Sequence, residues 1–420
     1  MQPGNARQWS EIDAERWLFS LENFGIELGL ERIEALLAAL GSPQRRGRIV
    51  HVVGSNGKSS VTRMIEAILR EHGLVVGAYL SPHFISFTER ILINGSATAA
   101  AAFAAAAESV NAAAAQLEKA QPALGPVTQF EALTAIAFSE FERAEVEAAV
   151  IEAGLGGRLD ATNVTDSAVQ VCTGISLEHT ALLGATTAAI AAEKLAVVRP
   201  GSTLVVGADL DPAALSVAVD RCAQQGARLV VAGRDAPAAL SVGGDFQRAN
   251  FALAAAGAHA LLGSLDSAAV ERAAGGLLIP GRYEIVGSEP TTIFDGAHND
   301  AGAAALLTSL AAESGAVRTI GCLSVLDDKD AEAMLTVLGQ CSDELIFTRA
   351  SHPRALDPAV LAEINERLDG PPARVVQSPH EALEQARLAA GADGLAFAAG
   401  SLYLIADLKR GADATGGSTL

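Results

Sequence analysis

Residues 49–69 constrain the fold more than any other stretch. Ile49-Val50-His51-Val52-Val53 is short and almost wholly apolar, the pattern of a buried strand. Gly54 to Gly57 is a turn. Val61, Met64, Ile65, Ile68 and Leu69 then share one helical stripe, which Gly73 ends. A buried strand that passes through a glycine turn into an amphipathic helix commits the chain to a strand–helix unit of a parallel α/β sheet. Apolar runs at 146–151 and 169–175 supply further strands. The texture changes at Gly275-Gly276, and 277–282 reads as a hinge. Beyond it, strands predicted at 291–294, 319–323, 345–347 and 395–398 alternate with helical stretches such as Ala301–Ala312. A chain of 420 residues is long enough for two such domains, placed at 1–279 and 280–420. Near the start, Leu28, Leu30, Ile33, Leu36, Leu37 and Leu40 predict a helix that Gly41-Ser42-Pro43 terminates. The Ala-rich stretch from Ala97 to Ala107 predicts a long surface helix.

Composition removes several classes of function. With 50% hydrophobic and 19% charged residues, the chain is not predominantly disordered. Its net charge of −19 disfavours nucleic acid and anionic membranes as partners. A local basic pocket for a phosphate remains compatible with that sum. The four cysteines form no CxxC pair, which argues against a zinc ribbon or a redox motif. No apolar run reaches the roughly 18 residues that span a bilayer. The best one, Ala181 to Val198, is broken by Glu193 and Lys194. Residues 1–13 lack the apolar core of a secretion signal. The expectation is a cytoplasmic monomer that binds small molecules.

Gly54-Ser55-Asn56-Gly57-Lys58-Ser59-Ser60 carries the strongest chemistry. Loop and helix-terminal N–H groups converge on an anion there, Lys58 adds a point charge, and Ser59 adds a hydroxyl suited to Mg²⁺. The spacing is short: the usual G-x-x-x-x-G-K-S form would place glycine where Val52 stands. An ordinary glycine turn with an exposed lysine is the plain alternative. Glu152 ends the 146–151 strand and opens a glycine-rich stretch to Asn163. It is either a Mg²⁺ ligand beside the phosphates or a strand-end acid on a turn. His179, after the next strand, is a metal ligand or a hydrogen-bonded structural residue. Lys194, in an otherwise apolar helix, is a paired or snorkelling lysine or one near the phosphates. Later, Arg282 suits a phosphate, and Asp295 can accept ribose or adenine hydrogen bonds. Asp295, Arg282 and His298 are alternatively caps or solvated turns.

These segments, in order, resemble the folylpolyglutamate synthase/dihydrofolate synthase family within the Mur-ligase-like amide ligases. The resemblance runs over most of the chain. It comprises IELGLERI at 26–33, GSNGKSS, Ser81-Pro82-His83 with Glu89-Arg90-Ile91 and Asn94-Gly95, and Thr128-Gln129-Phe130-Glu131. It continues with EAGLGGRLDATN at 152–163, Glu178-His179-Thr180 with Leu183-Gly184, and Glu193-Lys194. Gln247 with Asn250, Pro280-Gly281-Arg282, Asp295-Gly296-Ala297-His298-Asn299, Asp328-Lys329-Asp330 and Gly400-Ser401-Leu402-Tyr403 complete it. The fold it implies is α/β: a P-loop parallel-sheet ATPase domain followed by a smaller Rossmann-like α/β domain.

The resemblance also implies roles. Gly54, Ser55, Asn56, Gly57, Lys58, Ser59 and Ser60 would bind ATP, with Asn250, Arg282 and Asp295 holding the nucleotide from across a cleft. Ser59, Ser81, Glu152 and His179 would hold Mg²⁺, as two ions. Thr128, Gln129, Phe130, Glu131, Asp160 and Ala161 would line a pteroate or folate site. Lys194 corresponds to a lysine carbamylated in the family. Lys58, Lys194, His298 and Ser401 would serve catalysis, the last two near glutamate and the acyl phosphate. The implied reaction adds L-glutamate to dihydropteroate, to folate tails, or to both, with closure near Pro280 gating it. Ser55 and Ser59 depart from the family loop but keep hydroxyls. Glu178 replaces an aspartate, Phe246 a histidine and Asp300 a proline. The rival readings are a regulatory nucleotide-binding module, a cell-wall ligase and a structural protein.

Overall fold

The computed structural model describes residues 8–21, 29–312 and 317–411. Ile26, Glu27 and Leu28, part of the N-terminal motif and helical face, lie outside them. The chain packs as two compact units, Met1–Ala239 with Asn250–Gly276, and Leu240–Ala249 with Leu277–Leu420. The second unit thus takes in the short segment 240–249 as well as the C-terminal part.

The first unit is built on an eight-stranded sheet. Its strands are β1 (Arg48–Val53), β2 (Val76–Tyr79), β3 (Ile91–Ile93), β4 (Ser96–Ala97), β5 (Ala148–Glu152), β6 (Val169–Cys172), β7 (Thr203–Val206) and β8 (Arg228–Val231), in the order β4-β3-β2-β5-β1-β6-β7-β8. From β2 through β8 the pairing is parallel, and β3 and β4 form an antiparallel margin. β5 and β6 are buried along their whole length and β1 from its second residue on, and each is mainly apolar, interrupted by His51 in β1 and Gln170 in β6 and closed by Glu152 in β5. The loop helix, Lys58–Glu71, buries Val61, Met64, Ile65, Ile68 and Leu69, as its spacing predicts. The predicted N-terminal helix is Glu31–Ala39, burying Ile33, Leu36 and Leu37.

The Ala-rich stretch forms the expected long helix but starts later than Ala97. Ala97 belongs to β4, and the helix runs Ala100–Ala120. It has one exposed face, with Ala101, Ala105, Ser109 and Ala112, and one buried face, with Phe103, Ala104, Ala107 and Val110 in a core cluster. Small side chains let its backbone lie close to its neighbours, so alanine here supplies packing as well as helix propensity.

The second unit holds β9 (Glu284–Ser288), β10 (Thr291–Phe294), β11 (Thr319–Leu323), β12 (Glu344–Phe347), β13 (Ala373–Val375) and β14 (Leu395–Ala399), in the order β13-β12-β11-β14-β10-β9. All pairings are parallel except β9 with β10. Its core gathers Ile293, Leu323, Phe347 and Phe397. The α/β expectation holds for both units, with antiparallel edge strands added to each. No helix among the described residues is long and apolar enough to cross a membrane.

Candidate active site

In a parallel sheet, ligands gather beyond the carboxyl ends of the strands. Four neighbouring strands of the first unit, β2, β5, β1 and β6, deliver Ser81, Glu152, the glycine loop and the 173–179 segment to that edge. Val52 pairs with Glu152 and Val53 with Cys172, so the loop starts level with both.

The loop is fixed from the β6 side. Ser55 N–H donates to Gly174 O at 2.8 Å, Ser176 N–H donates to Ser55 Oγ at 3.0 Å, and the Thr173 hydroxyl donates to Asn56 O at 2.6 Å. Gly54 has φ +143°, and a Cβ there would stand 2.0 Å from Thr173 Oγ1. Both the backbone and the space therefore demand glycine. Gly54→Ala is expected to lower stability by about 3 kcal/mol. Urea unfolding checks this, and a variant with an unchanged midpoint would refute it.

Lys58 donates from Nζ to Gly54 O at 3.0 Å and Ser55 O at 3.1 Å. Ser59 Oγ donates to Glu152 Oε1 at 2.9 Å and lies 3.4 Å from Ser81 O, while Ser81 N–H donates to Glu152 Oε2 at 3.1 Å. Three of the four expected metal ligands are thus together, as one carboxylate, the Ser59 hydroxyl and the Ser81 main-chain carbonyl. Hard oxygen donors with one carboxylate suit Mg²⁺, which completes its shell with phosphate and water. His179 differs in setting. It is exposed, in left-handed conformation (φ 46°), at the start of the short helix Thr180–Leu183. Among the described residues no group of three or more His, Cys, Asp or Glu side chains is gathered for a metal.

Lys194 is buried beside the loop. Its Nζ donates to Gly54 O at 2.9 Å and pairs with Glu178 Oε1 at 2.8 Å. Burial pushes the Glu178 carboxyl up, but the charges of Lys194 and Lys58 and hydrogen bonds from Lys194 and Ser55 outweigh it and hold the group below the usual range. Asn250 also reaches the loop, since a Cβ on Gly57 would lie 2.9 Å from its Oδ1.

Next to Glu152 the chain enters Gly154-Leu155, where a Cβ at Gly154 would meet the Phe130 ring at 2.6 Å. Phe130 is half-buried, its centroid 6.0 Å from that of Tyr79. Its neighbours frame it. Thr128 caps the helix Gln129–Arg143 in a capping box with Glu131, and Arg32 Nε donates to Glu131 Oε2 at 2.7 Å. Gln129 donates to Leu18 O at 3.1 Å. Asp160 is buried and spends its carboxylate within its own loop, accepting from Leu155 N–H at 2.8 Å, Thr162 N–H at 3.0 Å and the Thr162 hydroxyl. Burial raises its pKa against those bonds. Ala161 is buried in the adjoining core.

In the second unit Asp295 directly follows β10. It accepts from Tyr283 N–H at 2.8 Å and Ala297 N–H at 2.7 Å. Burial raises its pKa, opposed by Arg282 and these two amides. Gln247 donates to Arg282 O at 3.3 Å. His298 Nδ1 lies 2.8 Å from Gly296 O, and Ser401 caps the helix Leu402–Lys409 by accepting from Tyr403 N–H at 3.1 Å. Phe246 packs edge-on against Tyr283, spent in the core. Arg32, Glu178 and Thr162 are the partners missed from the sequence. The Thr-x-x-Glu pattern at 128–131 signals the capping box but not its Arg32 partner, whereas Thr162 lies two residues from Asp160.

Residues 281–402 match the family model "Mur ligase, glutamate ligase domain". A Mycobacterium tuberculosis protein named "Dihydrofolate synthase/folylpolyglutamate synthase" is 35% identical over 86% of this chain and 82% of its own length. The chain belongs to the dihydrofolate synthase/folylpolyglutamate synthase family. A second member, from Haloferax volcanii, is named "Probable bifunctional folylpolyglutamate synthase/dihydropteroate synthase"; it is 35% identical over 94% of this chain and 50% of its own length. This chain spans about half the length of that relative. A solved family structure, the bifunctional folylpolyglutamate synthase/dihydrofolate synthase of Yersinia pestis complexed with AMPPNP and Mn ion, superposes with TM-score 0.84 at 30% identity, covering 97% of this chain and 98% of that one. Membership agrees with the α/β fold and with the ordered motifs.

Proposed function

We propose that the chain joins L-glutamate to the carboxylate of a pteroate or folate, consuming ATP and releasing ADP and phosphate. The cluster of Ser59, Glu152 and Ser81 at the mouth of the glycine loop carries the reading, two residues from the Phe130–Gly154 contact. The acceptor carboxylate attacks the γ-phosphorus, the bond to the β–γ bridging oxygen breaks, and ADP leaves an acyl phosphate. The glutamate amine attacks the acyl carbon, phosphate departs, and the amine loses its proton. The substrate is the nucleophile in both steps, so no serine or cysteine nucleophile is required.

The residues divide this work. Loop N–H groups and the start of the helix Lys58–Glu71 hold the phosphates, and the Lys58 ammonium sets charge against the transferring group. Glu152, Ser59 and Ser81 would hold Mg²⁺. Bound there, Mg²⁺ neutralises phosphate charge. Asn250, Arg282 and Asp295 serve the nucleotide, and His298 and Ser401 the glutamate and acyl phosphate. Phe130 offers an aromatic face to the pteroate, framed by Thr128, Gln129, Glu131, Asp160 and Ala161. Lys194, as an ammonium, ties Glu178 to the loop, so carbamylation would require that ion pair to open. Two Mg²⁺ ions, both acceptors, a division at 279/280, a cytoplasmic location and a monomeric state complete the proposal.

The test uses purified protein with ATP, Mg²⁺ and glutamate, adding dihydropteroate and tetrahydrofolate separately. ADP release that needs glutamate and is seen with both acceptors is the expected result. Release with tetrahydrofolate alone would reduce the activity to tail extension. Release with neither would overturn the proposal.

A further inference from the structure

His51 is the one polar residue in the buried run Ile49–Val53 of β1, and it is fully buried. Its Nε2 lies 2.8 Å from Thr162 Oγ1. The hydroxyl of Thr162 gives its one proton to Asp160 Oδ1, so Nε2 carries a hydrogen and donates to Thr162. Nδ1 is then a buried acceptor, and it makes no hydrogen bond among the described residues. An apolar residue would avoid that cost, so the stability of β1 does not account for the imidazole. Burial and the charge of Arg199 push its pKa down to about 3, so it is a neutral donor and not a proton carrier at neutral pH.

Thr162 and Asp160 lead onward. Asp160 Oδ2 accepts from Leu155 N–H, which fixes the turn holding Gly154 against Phe130. The same strand that carries His51 runs on, three residues later, into the glycine loop. We propose that His51 is a positioning residue that holds the acceptor-binding wall through Thr162 and Asp160 and registers it on the nucleotide strand. This inference rests on the pteroate reading of Phe130 and its neighbours.

The experiment measures dihydropteroate binding directly, together with KM for acceptor and for ATP. His51→Leu and Thr162→Val are each expected to raise the acceptor KM by about tenfold or more, with less than about a twofold change for ATP. The double variant should be no worse than the worse single one, because both break one chain of hydrogen bonds. His51→Gln, whose amide can donate to Thr162, should restore most of the loss. An acceptor KM unchanged in both single variants, or rising in step with that for ATP, would overturn the inference while leaving the functional reading intact. If the unmodified chain binds no pteroate or folate, that reading fails and this inference with it.

Discussion

Acceptor-dependent ADP release by Lys58→Ala is expected to fall by about 1000-fold, with the fold retained. In the proposed reaction the loss is electrostatic, since the ammonium would set a unit charge against oxygens that gain charge as the phosphoryl group moves. The fold should survive because the loop has other anchors. Lys194 also donates to Gly54 O, and Ser55 and Asn56 are held from the β6 side by Gly174 and Thr173. Glu152→Ala should lose turnover comparably, as it removes the carboxylate on which Ser59 and Ser81 converge. Steady-state turnover alongside circular dichroism separates the two effects. Near-normal turnover in the Lys58 variant would remove the glycine loop from the reaction.

The second large effect is on stability in acid. His51 has a folded-state pKa of about 3 against an ordinary 6.5. Between those values the unfolded chain binds a proton that the folded chain refuses, so stability falls as pH drops. The contribution is full above pH 6.5 and declines by at most about 1.4 kcal/mol per unit, to roughly 5 kcal/mol lost by pH 3. That is comparable with the whole stability of many domains. Glutamine does not titrate here, so His51→Gln should flatten the dependence of the urea midpoint over this window. Equal slopes in the two proteins would show that other groups govern acid unfolding.

The glycine loop, its strand and its helix are legible because two periodicities meet at a glycine turn, and both are local. The same holds for β10, β11, β12 and β14, whose apolar runs are long enough to register. β3, β4 and β13 escape because two or three residues leave no period to read. Surface and core faces of an alanine helix look alike in sequence, so the alanines that the Ala100–Ala120 helix buries are not separable from those it exposes. At the site, Ser59 and Glu152 are legible as strand-end and loop chemistry. The partner of Lys194 is not, because Glu178 becomes its neighbour only through the fold. Thr128 and Glu131 show another limit: a capping box and a binding motif share the same letters.

The place of β1 in the sheet has a consequence for biosynthesis. It is flanked by β5 and β6, and its last residues, Val52 and Val53, pair with Glu152 and Cys172, 100 and 119 residues further along. A nascent chain that has exposed its glycine loop but not yet Cys172 therefore carries the sequence of a phosphate site without its walls. Contacts so distant along the chain close late. On the ribosome, nucleotide binding should appear abruptly, once the strand on the far side of the loop has emerged, and not gradually with chain length.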